Sequence, residues 1–428
     1  MKNLISWALA AVSGLGAMTA AAADISLSGF GTVGYAQSDQ SYNYQRFVNN
    51  QGTFKRDSVL GVQMDAKLND EFGFTLQGKV APSLSSDKDW DATVSWAFLS
   101  WRPTNDWLVR VGRVRVPLYL NSENMEVGAT FDFARLPAEV YTTSQATEGD
   151  GLFVSKTWNM DAGELTLNGY SGSAKTNYRF YRRDDVPPLV SSGSYFVPVK
   201  VTSSALVLTF QHDDNIFRAG AHDTYTKITD DHVMPVTFPY VAIMPGVGYY
   251  QTSNLIPGPG VLSETKIHAM VYTLAADVVV GNDFRVMGEY VRRDVPDIAT
   301  GPDSQGAYLA VLKPVGAWTP YVSVARLESM ARTRELYNKV NSNTVPGFIP
   351  GAAQINAAQR AGADGIIGYD QTTWAFGTSY RVTPTSKLKA EWARTRTGDM
   401  SSLIDAPSGD ESGKKTVNVF SFSYSVVF

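Results

Sequence analysis

The sequence has no cysteine, which removes disulfide staples, thiol nucleophiles and thiolate metal sites together. Histidine is scarce: His212, His222, His232 and His268 are the only four. The first three have aspartates beside them, but no Gly-x-Ser-x-Gly elbow or His-Glu-x-x-His pair occurs. The chain is therefore read as a non-enzyme, with no cofactor. Acidic groups such as Asp230-Asp231 or Asp303 lack a defined calcium loop, so no metal is expected either. Basic charge is not in excess. The 37 Lys and Arg against 41 Asp and Glu leave a net charge of −4, which argues against a nucleic-acid footprint. Beyond the first 23 residues no stretch approaches the ~20 apolar residues a spanning helix needs. The remainder is either soluble and exported, or it crosses a membrane as strands.

At the start, Met1-Lys2-Asn3 precedes an apolar run from Leu4 to Met18 and a run of small residues, Ala20 to Ala23. A positive start, an apolar stretch and an Ala-x-Ala exit have the form of a secretory signal peptide. Residues 1–23 are expected to be removed after Ala23, leaving 24–428 as one barrel domain. A permanent membrane helix is the alternative, but Ser6, Ser13, Gly14, Gly16 and Thr19 dilute the run.

The strongest pattern is at the other end. Phe420, Phe422, Tyr424, Val426 and Phe428 alternate with Ser421, Ser423, Ser425 and Val427. Period two means a strand with one apolar face and one small, polar face. Ile25, Leu27, Val33 and Tyr35 share one face of a matching first segment. Between them the same unit recurs, two amphipathic strands around a tight turn. The turns fall at Asn69-Asp70-Glu71, Pro103–Asp106, Asn159-Met160-Asp161, Asp213-Asp214-Asn215, Gly281-Asn282-Asp283, Lys313–Gly316 and Pro384-Thr385-Ser386. Those seven hairpins plus a first and a last strand predict about 16 strands. Long polar or glycine-rich connections lie near 37–57, 82–91, 117–148, 172–203, 226–264, 294–305, 327–370 and 397–415. Short turns on one side and long loops on the other are the asymmetry of a transmembrane antiparallel β-barrel. At about 16 strands the interior is too wide for side chains to fill, so large residues face lipid and polar ones face water. Trp101, Trp107, Trp158, Trp318 and Trp392 suit interfacial girdles, or ordinary packing of the barrel wall.

The third long connection follows Val109-Arg110-Val111-Gly112-Arg113-Val114-Arg115-Val116-Pro117. It runs through Asn121–Gly128 and Phe131-Asp132-Phe133, then through Pro137-Ala138-Glu139-Val140-Tyr141 to Glu148-Gly149-Asp150-Gly151. Here the sequence resembles the bacterial outer-membrane porin superfamily, general-porin-like and 16-stranded. In that superfamily a Leu-Gly-Arg-like strand leads into a third loop folded into the lumen. The Pro-x-Glu-Val-Tyr segment is similar to a subgroup whose substrates are unassigned. Arg113-x-Arg115-x-Pro117 departs from the general pattern, so no constriction residue is carried over from the family. A last strand bearing Phe420, Phe422, Tyr424 and Phe428 resembles the insertion signal of such barrels. The resemblance implies three copies side by side, contact with outer-membrane lipid and lipopolysaccharide, and delivery by the barrel-assembly machinery.

Candidate constriction residues are Arg110, Arg113, Arg115, Glu123, Glu126 and Asp132; candidate lumen-wall residues are Lys79, Arg218, Arg285, Arg381 and Lys389. Acids on an inward loop facing bases on a wall would set a transverse field at the narrow point. The plain alternative is that these charges are solvated. The expected function is passive diffusion of small hydrophilic solutes and ions. The rival is a substrate-specific channel for an anion, a sugar or an aromatic acid; a hydrolase or an adhesin ranks below both. The fifth loop is unusually apolar (Phe238-Pro239-Tyr240-Val241-Ala242-Ile243-Met244-Pro245), as a solute track, a lid or a loop packed on its neighbours. Ala352–Ala361 reads as a short helix in the seventh loop.

Overall fold

The computed structural model describes residues 24–144, 146–186 and 191–428. The export-signal reading falls on residues 1–23, outside the described residues.

Strand-period alternation is realised as a closed antiparallel barrel of 16 strands. Its first nine are β1 (Asp24–Ser38), β2 (Val59–Lys67), β3 (Phe72–Pro82), β4 (Trp90–Trp101), β5 (Trp107–Arg115), β6 (Glu148–Met160), β7 (Gly163–Arg182), β8 (Gly193–His212) and β9 (Asn215–Ile228). Two small hairpin sheets outside the barrel hold β10 (Met234–Pro235), β11 (Tyr240–Met244), β12 (Val247–Tyr250) and β13 (Ser263–Glu264). The barrel resumes with β14 (Lys266–Val280), β15 (Phe284–Asp294), β16 (Ser304–Leu312), β17 (Trp318–Ser329), β18 (Tyr369–Thr383), β19 (Ser386–Ser401) and β20 (Thr416–Val427). The ring closes where β1 pairs with β20, Phe30 opposite Val427 through Ser38 opposite Val419. Closure leaves no barrel edge unpaired, which is how a cysteine-free chain of this length is held together.

All seven predicted tight turns connect neighbouring strands on one rim. Asp213, Asn282 and Asp283 take positive φ there (50°, 60° and 58°), a conformation Asn and Asp tolerate. Trp101, Trp107, Trp158 and Trp318 are exposed on the outer face near this rim, whereas Trp392 lies mid-strand, stacked on Phe376 at 5.8 Å. On β20 the outward residues Phe420, Phe422 and Tyr424 are exposed while Ser421, Ser423 and Ser425 are buried. The same alternation sets Leu27, Leu60, Val62, Val111, Leu206, Leu274 and Leu309 outward.

The other rim carries the long connections, and here several boundaries move. The reading of 172–203 as a loop is corrected: β7 and β8 pair without a break from Glu164–Gln211 up to Arg182–Gly193. The apolar fifth loop forms the β11–β12 hairpin and packs on the seventh. Tyr249 and Ile256 bury with Val345, Ala352, Ile355 and Ala358 in one cluster; Phe238 and Val261 join Leu336, Tyr337 and Val340 in another. The seventh loop holds α2 (Ala331–Ser342) and α3 (Ala352–Asp364); α1 (Ala138–Tyr141) belongs to the third. The predicted helix from Ala352 is present. The helix from Ala331 is an addition to the sequence reading, although Thr333, Leu336, Tyr337 and Val340 bury at helical spacing.

Candidate functional site

The described residues of the third loop, 117–144 and 146–147, lie inside the barrel. Its residues bury against side chains on the inner faces of the strands: Leu118, Tyr119, Phe133, Val140 and Tyr141 form one cluster with Met287 and Val291 of β15, Tyr308 and Ala310 of β16, and Tyr321 and Ala325 of β17. Phe133 meets the rings of Tyr308 and Tyr321 edge-on at 6.1 and 5.1 Å. Backbone polar groups entering such a space need partners, and the wall supplies them. Arg218 of β9 donates to the carbonyls of Pro117 (3.0 Å) and Tyr119 (2.9 Å). Glu289 of β15 accepts the Leu120 N–H at 2.8 Å and the Tyr141 hydroxyl at 2.5 Å. Tyr321 receives the Ala134 N–H at 2.9 Å, Lys389 of β19 donates to the Phe133 carbonyl at 3.0 Å, and Arg293 donates to the Thr143 carbonyl at 2.6 Å.

Two glycines mark the closest approaches. A Cβ on Gly306 of β16 would lie 2.2 Å from the Glu139 carbonyl, so α1 rests directly on that strand. A Cβ on Gly128 would lie 2.4 Å from Ser425 Oγ and 2.8 Å from Thr32 Oγ1, so the loop also reaches the β1–β20 seam opposite. The Pro-x-Glu-Val-Tyr segment is α1 and its lead-in. Glu139 is buried and accepts from Gln371 Nε2 (2.7 Å) and Thr373 Oγ1 (2.5 Å) of β18, while Tyr141 reaches Glu289. Both are anchors of the loop.

The candidate charges fall into separate groups. Lys79, Arg115, Glu126 and Glu148 form a closed ring of ion pairs: Arg115 to Glu126 at 2.8 Å, Arg115 to Glu148 at 3.0 Å, Lys79 to Glu148 at 2.6 Å, and Lys79 to Glu126 in direct contact. Arg110 faces inward between the rings of Phe98 and Phe153, 5.2 Å from each centroid, with Glu123 at 3.3 Å. Asp132 pairs with Lys387 at 2.7 Å and accepts from Ser379 at 2.7 Å. Arg285 grips Asp277 with two nitrogens on the wall. Arg218 and Lys389 hold loop carbonyls, as above. Arg381 is exposed near the turn-side rim and makes no ion pair among the described residues.

Arg113 does not join them. Strand alternation turns it to the outer face with Val111, where it forks onto Asp150 at 2.8 and 3.0 Å. Arg115 shares its parity but lies past the last β4 partner, Ala97 opposite Arg113. With β4 no longer beside it and only β6 still paired to it, its guanidinium turns to the loop and is buried.

Glu289, Tyr308, Tyr321 and Glu391 were not singled out by sequence, yet they tie the loop to the wall; Tyr321 Oη donates to Glu391 at 2.7 Å. A signal existed for Glu289, which shares the inward phase of Arg285 on one strand. Space remains on both sides of the loop. Toward the turn rim a recess of about 310 Å³ is lined by Asn121, Asn124 and Asp132 of the loop and Gln211, Arg218 and Arg285 of the wall. Above the loop a smaller cavity of about 80 Å³ lies against Thr143, Ser144, His222 and Thr224.

A closed 16-strand barrel, apolar outside and polar inside, with a loop bonded across its lumen, is the fold of solved bacterial porins and outer-membrane channels. Solved structures with this fold include OmpT, an outer membrane protein of Vibrio cholerae, as a loop L8 deletion mutant (13% identity, TM-score 0.52, covering 95% of this chain and 100% of that one). They also include OprB of Pseudomonas putida at high pH (11%, 0.51, 95% and 94%) and the outer membrane channel DcaP of Acinetobacter baumannii (11%, 0.50, 95% and 98%). No family model matches the sequence, and no curated protein matches it.

Proposed function

We propose that this chain is a non-enzymatic channel of the bacterial outer membrane, through which small hydrophilic solutes and ions diffuse passively. The observation that carries this reading is the third loop. A 31-residue insert (117–147) has its backbone bonded to inward side chains of β9, β15, β17 and β19, inside a barrel too wide to be filled by side chains. Such a loop narrows a water-filled lumen without closing the wall. The ring of Lys79, Arg115, Glu126 and Glu148, with Arg110–Glu123 beside it, puts opposite charges where loop meets wall, and charge at a narrow point biases ion passage. Three copies assemble side by side, an arrangement for which the trimer form of Vibrio cholerae OmpT offers a parallel. Residues 1–23 direct export, and the aromatic last strand is read by the barrel-assembly machinery.

A second reading, a substrate-selective channel, draws on the mouth. The fifth and seventh loops bury against one another, and α3 reaches the β7–β8 end through Arg360–Asp184 (2.7 Å) and Asp364–Arg183 (2.6 Å). A bonded roof of this kind restricts what enters. Single-channel conductance in planar bilayers decides between them. Ohmic steps without solute saturation match general diffusion; block by one solute at micromolar concentration matches the selective channel. Absence of conductance overturns both and leaves a hydrolase or an adhesin.

A further inference from the structure

The inner face of β9 holds a histidine that takes no part in anchoring the third loop. His222 is 1% exposed, and neither of its ring nitrogens has a hydrogen-bond partner among the described residues. Buried polar side chains are nearly always bonded, so an imidazole with both nitrogens open calls for a partner. Arg218, Gly220 and His222 follow one another on this face, and Thr273 of β14 stands opposite Gly220. The Thr273 hydroxyl is also buried without a partner among the described residues, and so is Arg218 Nε.

Gly220 makes the space these groups share. A Cβ placed on it would lie 2.7 Å from Thr273 Oγ1, 3.2 Å from His222 Nε2 and 3.2 Å from a methyl of Val207. Two unpaired polar atoms therefore border one notch, with Val207 at its side. His222 also lines the cavity of about 80 Å³ between the loop stem and the wall. That is several times the ~10–15 Å³ that one water needs. Around it stand Val116 and Leu118 of the loop stem, Val201 of β8, and Ile267, Ala269 and Val271 of β14. The Ser203 and Thr224 hydroxyls in its lining are 3.1 Å apart and bond to each other. An apolar cavity thus adjoins a polar notch, and His222 belongs to both.

Charge decides which head group fits the notch. Arg218 donates to two loop carbonyls, and Arg293, which lines the cavity, donates to the Pro302 and Thr143 carbonyls and to Ser304. Among the described residues neither guanidinium is bonded to a carboxylate. Glu289 stands on the rung of Arg218, across Ala275, and already accepts from Leu120, Tyr141 and Tyr308. Two cations against this one acid leave a positive charge over, and a charge removed from water needs a counter-charge. A carboxylate is such a group, and it only accepts hydrogen bonds. The groups around Gly220 are donors to match it: the Thr273 hydroxyl, an N–H of His222 and Arg218 Nε. An ammonium head would instead meet two guanidiniums.

We propose that the Gly220 notch and the adjoining cavity form a binding site for a small monocarboxylate with an apolar tail, of the size of butyrate. The carboxylate accepts from Thr273 and His222, and the tail lies among Val116, Leu118, Ile267 and Val271. The site rests on the channel reading and deepens its selective form. The test uses the folded full barrel and saturation-transfer NMR, with butyrate, butyramide and acetate as probes at equal ionic strength. Butyrate should bind at least tenfold more tightly than butyramide, which has its tail without the charge. It should exceed acetate, which has the charge and almost no tail, by a similar factor. Thr273→Val keeps the shape and removes an unpaired buried hydroxyl, so it should fold as stably as wild type and weaken butyrate at least fivefold. His222→Phe should weaken butyrate at least tenfold. Gly220→Ala fills the notch without removing a donor and should do the same. Should one variant fold poorly, the other two decide. Butyrate held equally by wild type and the folded variants, or no better than butyramide or acetate, overturns the site, as does a wild type that binds none. All proteins are also measured for conductance. A barrel that conducts but binds no butyrate overturns this inference alone, whereas one that binds butyrate and does not conduct overturns the channel.

Discussion

Glu289 of β15 accepts the Tyr141 hydroxyl at 2.5 Å, and the same carboxylate takes the Leu120 N–H at 2.8 Å and the Tyr308 hydroxyl at 2.9 Å. One wall residue thereby holds both limbs of the third loop, the outgoing at Leu120 and the returning at Tyr141. All of these groups are buried or half-buried, so removing the carboxylate strands three donors at about 1–3 kcal/mol each. Glu289→Ala should fold as a barrel with a loosened loop. Its single-channel current should be larger and noisier than wild type, with a lower unfolding temperature. Conductance and noise equal to wild type would show that the loop does not depend on this bond.

Glu126 is shared by Lys79 and Arg115, and Glu148 is the only other acid in the ring. Glu126→Gln leaves two cations facing one carboxylate. In a narrow aqueous passage an uncompensated cation draws anions. The reversal potential in a salt gradient should move toward anion preference. Glu123→Gln should move it less, because Glu123 is 58% exposed and water already screens its charge. An unchanged reversal potential in Glu126→Gln would remove the ring from the ion path.

Much of the fold was legible because the barrel imposes one rule throughout. Side chains alternate, turns are short on one rim, and Asn, Asp and Gly supply the positive φ those turns need. The seven turns and the strand number follow from that rule. The long-loop rim obeys none of it. β7 and β8 extend past the point where apolar alternation fades, because their pairing continues through polar residues such as Lys175, Asn177 and Arg179. The site was half legible for a related reason. Strand parity assigns Arg110 inward and Arg113 outward only once the register is known, and a one-residue slip exchanges them. Arg115 breaks parity altogether, since its strand has lost a neighbour there. The loop's wall anchors, Glu289 and Glu391, belong to strands far away in sequence, and nothing local to 117–147 names them.

Phe422 lies midway along β20, 53% exposed on the outer face, between Tyr35 of β1 and Ala390 of β19. Phe422→Arg puts a charge on that face and should cost about 2–4 kcal/mol at the bilayer midplane, falling toward zero near the interfaces. Folding into lipid vesicles, followed by denaturant titration, measures it. Ser423→Arg on the same strand points inward, where it meets water and loop, and should cost less in lipid-facing terms. Equal stability of Phe422→Arg and wild type would reverse the facing assigned to this strand.

Asp364, the last residue of α3, lies outside the barrel strands in the seventh loop. It is 2.6 Å from Arg183 and accepts that residue's N–H at 2.9 Å. Burial pushes its carboxyl up from 3.8 to about 6, against the opposing pull of Arg183. Between those two values the folded loop holds a proton that the opened loop releases. Stability of the docked loop from this group is therefore greatest below about pH 4 and is lost as pH rises to about 6, by up to roughly 3 kcal/mol. Asp364→Asn imitates the protonated acid, and Arg183 keeps the Asp410 carbonyl and Asn341 as partners at 2.9 and 2.7 Å. Limited proteolysis within 331–364 reports opening. Taking the wild-type-to-variant ratio at each pH cancels the protease's own pH dependence. Wild type should be cut at a rate close to the variant's at pH 4.5 and at least several-fold faster at pH 7.5. A ratio that stays constant across that range would mean the carboxyl titrates alike in docked and open loops.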